Sequence, residues 1–243
     1  MYARVIDGVE YKFGVSGKLY RNGLIMYDDV TESLWSHVAG MAIVGELAGT
    51  RLELVSAVHT DWATWKGLYP GTLVIAKSKS SFSQDTLGFD PYEAYYRDGS
   101  PGVLGRANQD ERLPVKQHVI GLRVGDQAKA YPFSALNDEP VVNDELAGLP
   151  VAVFFHPSSA SGVVFDRRLG DRVFTFHPAG GADGQDLLVV DEETSTLWRA
   201  LTGEAVRGPL TGQRLTPIPV TQAFWFGWVD YYPQTLVYGQ DES

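Results

Sequence analysis

Apolar and polar positions along this chain alternate mostly with the short period of β-strands. Arg4-Val-Ile-Asp7-Gly8-Val-Glu-Tyr-Lys-Phe13 places two β-rich runs on either side of Asp-Gly, a pair suited to a tight hairpin turn. Comparable runs flank Gly170-Asp171 and, between Val119 and Tyr131, Gly125-Asp126. Leu24 to Tyr27 and Leu187 to Val190 are short apolar runs of the kind found in buried strands, and Pro150 to Gly162 opens with a longer one. The period lengthens at Trp62, Trp65 and Tyr69, whose spacings of three and four put three rings on one helical face. Thr60 or Asp61 can cap that helix and Pro70 can stop it, and its aromatic stripe is expected to pack as core, since aromatic rings dominate core energetics. The pattern predicts a mainly β chain with a few short helices, an α+β fold.

The pattern also repeats. Residues 163 positions apart are identical without a gap at Asp28 and Asp191, Thr31 and Thr194, Trp35 and Trp198, and Gly40 and Gly203. The series continues through Arg51 and Arg214, Trp62 and Trp225, Trp65 and Trp228, to Tyr69-Pro70 and Tyr232-Pro233. Tryptophan is rare, so three tryptophan pairs at one offset point to an internal duplication and two pseudo-symmetric β-rich units. The expected organisation is a first copy at residues 1–76, an intervening segment at 77–148 with a hairpin and short helices, and a second copy at 149–243.

The strand-like run Val151 to Phe155 before the second copy has no counterpart before the first. The first copy is therefore expected to lack its first strand, and the natural protein to extend upstream of Met1. An open sheet edge beside Ala3 to Ile6 and a weak homodimer through it are then expected, because an unpaired edge is a template for another strand. Lys77 to Ser83 and Pro101 to Leu113 read as loops, and Asp90-Pro91 as a helix start.

Composition narrows the function classes. Thirty acidic against 20 basic residues give a net charge of −10, which repels phosphate backbones, so nucleic acid is not expected as a partner. No run approaches the roughly 18 apolar residues of a membrane helix, and membrane insertion is not expected. There are no cysteines, which removes disulfides, thiolate nucleophiles and cysteine metal ligands. Nothing after Met1 has the pattern of a signal peptide. No phosphate loop, dinucleotide fingerprint or serine nucleophile elbow is present, and the sequence points to no particular cofactor.

The assembled motifs resemble a bacterial family known as domain of unknown function number 3179. They are Met26-Tyr-Asp28 with Thr31 and Ser33-Leu-Trp35, Asp90-Pro-Tyr92, Ala130-Tyr-Pro132, Val142-Asn-Asp144, Phe165-Asp-Arg167, Thr194 with Trp198, Gly208-Pro-Leu-x-Gly212 and Phe224-Trp-Phe226. The resemblance spans essentially the whole chain. It implies no defined activity. Members commonly carry a Cys-Pro-Leu-Cys element in the first strand of the first copy; the corresponding place in the second copy here is His156-Pro157-Ser158-Ser159. Members also often have His where this chain has Ala223.

Candidate chemistry centres on the histidines, which titrate near neutrality and ligate metals. The five, His37, His59, His118, His156 and His177, include no pair with the spacing of a helical metal site, so a metal would need distant strands, with His156 and His177 as the candidates. Asp191 with Glu192 and Glu193, or Asp28 with Asp29, could supply acid and base groups, although acidic residues in turns commonly serve structure. The ligand-binding candidates are His59, His156, His177, Asp191 and Trp225. The expected function is a small-ligand or metal binding module formed between the two repeats; the alternative is an enzyme using His and carboxylate groups in that cleft. Convergence of His59, His156, His177 and Asp191 round one pocket would favour the enzyme.

Overall fold

The computed structural model describes residues 1–75, 92–102, 110–179 and 187–240. The expected loop at Lys77 to Ser83, the Asp90-Pro91 helix start and residues 103–109 of the second expected loop lie outside the described residues.

The chain is mainly β. In chain order the first segment forms β1 (Val5–Ile6), β2 (Val9–Glu10), β3 (Phe13–Tyr20), β4 (Gly23–Asp28), β5 (Leu34–Ser36), β6 (Met41–Val44) and α1 (Trp62–Leu68). Then come α2 (Glu93–Arg97), β7 (His118–Val124), β8 (Gln127–Pro132), α3 (Phe133–Asp138), β9 (Val141–Leu146), β10 (Leu149–His156) and β11 (Ser161–Asp166). The remainder is β12 (Arg168–Leu169), β13 (Arg172–Val173), β14 (Phe176–Pro178), β15 (Leu188–Asp191), β16 (Leu197–Arg199), β17 (Glu204–Arg207), β18 (Pro217–Ile218), β19 (Thr221–Phe224), α4 (Trp225–Val229) and β20 (Leu236–Val237).

Each expected hairpin forms at its expected turn. Asp7 and Gly8 both take positive φ, 49° and 82°, and close β1 onto β2, because a two-residue turn of this hand matches the strand twist. Gly170-Asp171 joins β12 to β13, and Gly125-Asp126 joins β7 to β8.

Elements recur at the 163-residue offset. The sheet β3-β4-β5-β6 and the sheet β14-β15-β16-β17 have the same order, all antiparallel. Both carry an irregularity at the same step, Leu34/Trp35 and Leu197/Trp198. Tyr2 bridges Leu54 where Phe165 pairs with Pro217. Trp35 and Trp198 are fully buried, each at the centre of a separate apolar cluster.

The hairpin β7-β8 joins the second segment: β7 pairs with β19, and β8 with β20 in parallel. β9 pairs with β10, which pairs with β11. The Asn143 side chain ties this sheet to β14, accepting from the Phe176 amide at 2.9 Å and donating to its carbonyl at 2.8 Å. Lys129 and Tyr131, both buried, meet Asp144 at 2.7 and 2.8 Å, so the Ala130-Tyr-Pro132 and Val142-Asn-Asp144 motifs lock the hairpin to β9. An ion pair this enclosed, with a phenol donating to the same carboxylate, fixes one arrangement of the two strands.

The aromatic stripe is core in only one of the two helices. In α4, Trp225 and Trp228 are 1% exposed and pack under the β7-β8 hairpin. In α1, Trp62 is 51% exposed and Tyr69 44% exposed, which corrects the expectation that the whole stripe is buried. The physical reason is local. Residues 58–61, which correspond to β19, pair with no strand among the described residues, so no hairpin roofs α1. Asp61 caps α1 as expected, accepting from the Thr64 amide at 2.7 Å.

Candidate functional site

The five residues singled out from the sequence do not converge. His59 is exposed, in a shallow depression with Thr60, Asp61 and Trp62 at the start of α1. His156 is buried at the end of β10, its Nδ1 2.6 Å from Ser159 Oγ, which in turn lies 2.7 Å from Ser161 Oγ. His177 is exposed in another sheet and meets Glu192 at 2.6 Å. Asp191 is buried and its carboxylate is fully engaged: it accepts from the Trp198 indole at 2.8 Å, the Thr194 amide at 2.5 Å, the Thr194 hydroxyl at 2.8 Å and the Thr196 amide at 3.2 Å. Trp225 is buried, with the Arg112 guanidinium 5.2 Å from its ring centre. Among the described residues no three His, Asp or Glu side chains are close enough to hold a metal ion. His156 does come near one group across the segments, since the Asp61 carboxyl, held low chiefly by Thr64, is lowered a little further by His156.

A different set of residues forms a cleft. It lies between the turn after β5 and the strand-like Arg51–Leu54 stretch on one side, and β7, β19 and α4 on the other. Two adjoining cavities of about 250 Å³ each share Ala39, Arg51, Arg123 and Tyr232 on their walls. Tyr2 and Trp228 line the first, and Tyr20, Met41 and Tyr231 the second. Backbone packing makes the room: Gly121 on β7 lies under the Trp228 ring so closely that a Cβ there would come within 2.3 Å of it.

Polar groups in the cleft are held in place. Tyr2 donates its hydroxyl to the His37 carbonyl. Burial pushes the Tyr2 phenol up to about 12, Tyr232 adds to this and Arg123 opposes it, so it is neutral at physiological pH. Arg123 donates to the Tyr232 hydroxyl at 3.2 Å with its guanidinium 5.4 Å from that ring's centre. Tyr231 donates to the Tyr20 carbonyl at 2.6 Å, and Arg21 donates to the Asp230 carbonyl at 2.7 Å. A concave site with aromatic walls and a few oriented polar groups is the usual form of a small-molecule pocket.

A third cavity, about 400 Å³, lies between α1 and β11, where Trp65 and Tyr69 face Val163 and Phe165. Its walls are mainly apolar and carry no charged side chain among the described residues.

The chain matches the family described as "Protein of unknown function (DUF3179)" over residues 1–235, and it belongs to that family. No curated protein and no solved structure matches it. Among the described residues no helix is long and apolar enough to cross a membrane.

Sequence reasoning missed the cleft because Trp228 and Tyr232 read there only as part of the repeated aromatic stripe, and Arg123 belongs to no motif. A signal was nonetheless present. Arg51 and Arg214 are identical across the offset, whereas their neighbours Met41 and Glu204 are not.

Proposed function

We propose that this protein is a small-ligand binding module whose site is the cleft between the two segments, and that the segments are copies of one ancestral unit. The observation that carries the first part is the pair of adjoining cavities walled by Tyr2, Trp228 and Tyr232 with Arg51 and Arg123 between them. The recurrence of sheet order, of the strand irregularity and of the Trp–Asp bond at one offset supports the second. Binding is favoured over the enzyme alternative because no His, Asp or Glu among the described residues stands on either cleft wall, leaving no ordinary general base there.

The test uses a thermal-shift screen of a metabolite library on the wild type and on Ala39→Trp, which fills the space shared by the two cavities. Compounds that raise the melting temperature of the wild type but not of the variant support the cleft. Hits that stabilise both proteins equally place binding elsewhere.

A further inference from the structure

The second segment supplies a reference for the charge of the first. There, Glu204 lies 3.4 Å from Arg214 and 3.7 Å from Arg199 and serves both as counter-ion. The corresponding residues of the first segment are Met41, Arg51 and Ser36. The backbone is unchanged, since Met41 bridges Arg51 as Glu204 bridges Arg214. The arginine is thus kept while its carboxylate is replaced by a thioether. Among the described residues the Arg51 side chain makes neither an ion pair nor a hydrogen bond.

Arg51 shares its cleft with Arg123, which donates to the Tyr232 hydroxyl. Both arginines are exposed, so water screens their mutual repulsion, yet both line the same cleft and add their positive charge there. No Asp or Glu among the described residues lines either cavity, although the whole chain carries a net charge of −10. Asp230 acts on Tyr231 of the second cavity without standing on its wall. Arg21 also reaches the second cavity, donating to the Asp230 carbonyl, and adds to its positive charge.

We propose that the cleft takes a small organic oxyanion, with a carboxylate or phosphate held between Arg51 and Arg123 and an aromatic or apolar body against Trp228 and Tyr232. This rests on the ligand-cleft reading above and names its ligand class. Planar guanidinium groups bind both kinds of oxyanion through paired N–H donors, and a cavity of about 250 Å³ admits a single substituted ring rather than a polymer. Cationic ligands are disfavoured in this cleft by its arginines.

The experiment is an NMR titration of isotope-labelled full-length protein with benzoate, phenyl phosphate and uncharged phenol, read at the Trp228 indole and at the Arg51 and Arg123 Nε–H signals. At least one of the two anions is expected to bind about tenfold more tightly than phenol, as charge-assisted bonds require. Met41→Glu rebuilds the ion pair of the second segment and is expected to weaken that anion about tenfold while leaving phenol unchanged. Arg51→Gln, at an exposed position, should do the same if Met41→Glu fails to fold, and Glu204→Met should leave cleft binding as it is. Equal binding of anions and phenol, or a folded Met41→Glu or Arg51→Gln with undiminished anion affinity, overturns the oxyanion proposal and leaves the ligand cleft standing. Absence of any shift at the cleft signals with all three compounds overturns both.

Discussion

The Asp28 carboxylate accepts the indole N–H of Trp35 at 2.9 Å inside the first apolar cluster, and 163 residues later Asp191 accepts that of Trp198 at 2.8 Å. In each segment the same carboxylate also takes the amide and hydroxyl of a threonine three residues on, so it ties the turn after one strand to the ring buried under the next. Removing it leaves a buried indole N–H and a threonine without their acceptor. Asp28→Ala and Asp191→Ala are each expected to cost roughly 3 kcal/mol in urea unfolding, in line with the loss of a buried charged acceptor. A loss below about 1 kcal/mol for either would show that the bond is replaceable by water.

Acid should act through the first of these carboxylates. Burial pushes Asp28 up, but the Thr31 amide, the Trp35 indole, the Thr31 hydroxyl and the Val30 amide together hold it below its ordinary value. A carboxyl lowered on folding stabilises the native state fully above its unfolded pKa, about 3.9, and that stabilisation is lost as pH falls through the folded pKa. Asp28→Asn is therefore expected to be less stable at neutral pH and to lose less stability than the wild type below about pH 4. Parallel pH-stability curves for the two proteins would contradict this.

The two helices predict opposite outcomes for the same substitution. Trp225→Ala empties a buried site under the β7-β8 hairpin and should cost roughly 3–5 kcal/mol. Trp62→Ala, its counterpart on the exposed face of α1, should change stability by no more than about 0.5 kcal/mol. Chemical denaturation of both variants checks the contrast.

Glycine is required at one recurring place. Gly40 and Gly203 have φ of 60° and 66°, and a Cβ would stand 2.7 Å from the Tyr2 ring and 2.5 Å from the Phe165 ring. Gly203→Ala is expected to lose about 2 kcal/mol or more through strain and overpacking, and Gly40→Ala somewhat less because Tyr2 is only half-buried. Melting temperatures of the two variants give the order.

The sequence carried much of the fold and little of the site. Asp-Gly turns, apolar runs and the Trp-x-x-Trp spacing act over a few residues, so β1-β2, β7-β8 and α1 could be read directly. Exposure of Trp62 could not, because it depends on which strands lie over α1, a long-range matter that helical periodicity does not encode. The histidines attracted attention for their chemistry, yet His177 pairs with Glu192 just past the neighbouring strand and His156 with a serine pair, and neither lines the cleft. Arg51 and Arg123 become neighbours only when residues 72 positions apart are brought to one cleft, which no local pattern announces.

Whether the cleft between the segments receives a ligand is tested most directly by diffraction from crystals soaked in a panel of small aromatic acids and their neutral analogues. The predicted result is ligand density between Ala39, Gly121 and Tyr232 with its charged group toward Arg51 and Arg123. Density confined to the neighbourhood of His156 or to the apolar cavity beside Trp65, with the cleft holding only solvent in every soak, would contradict it.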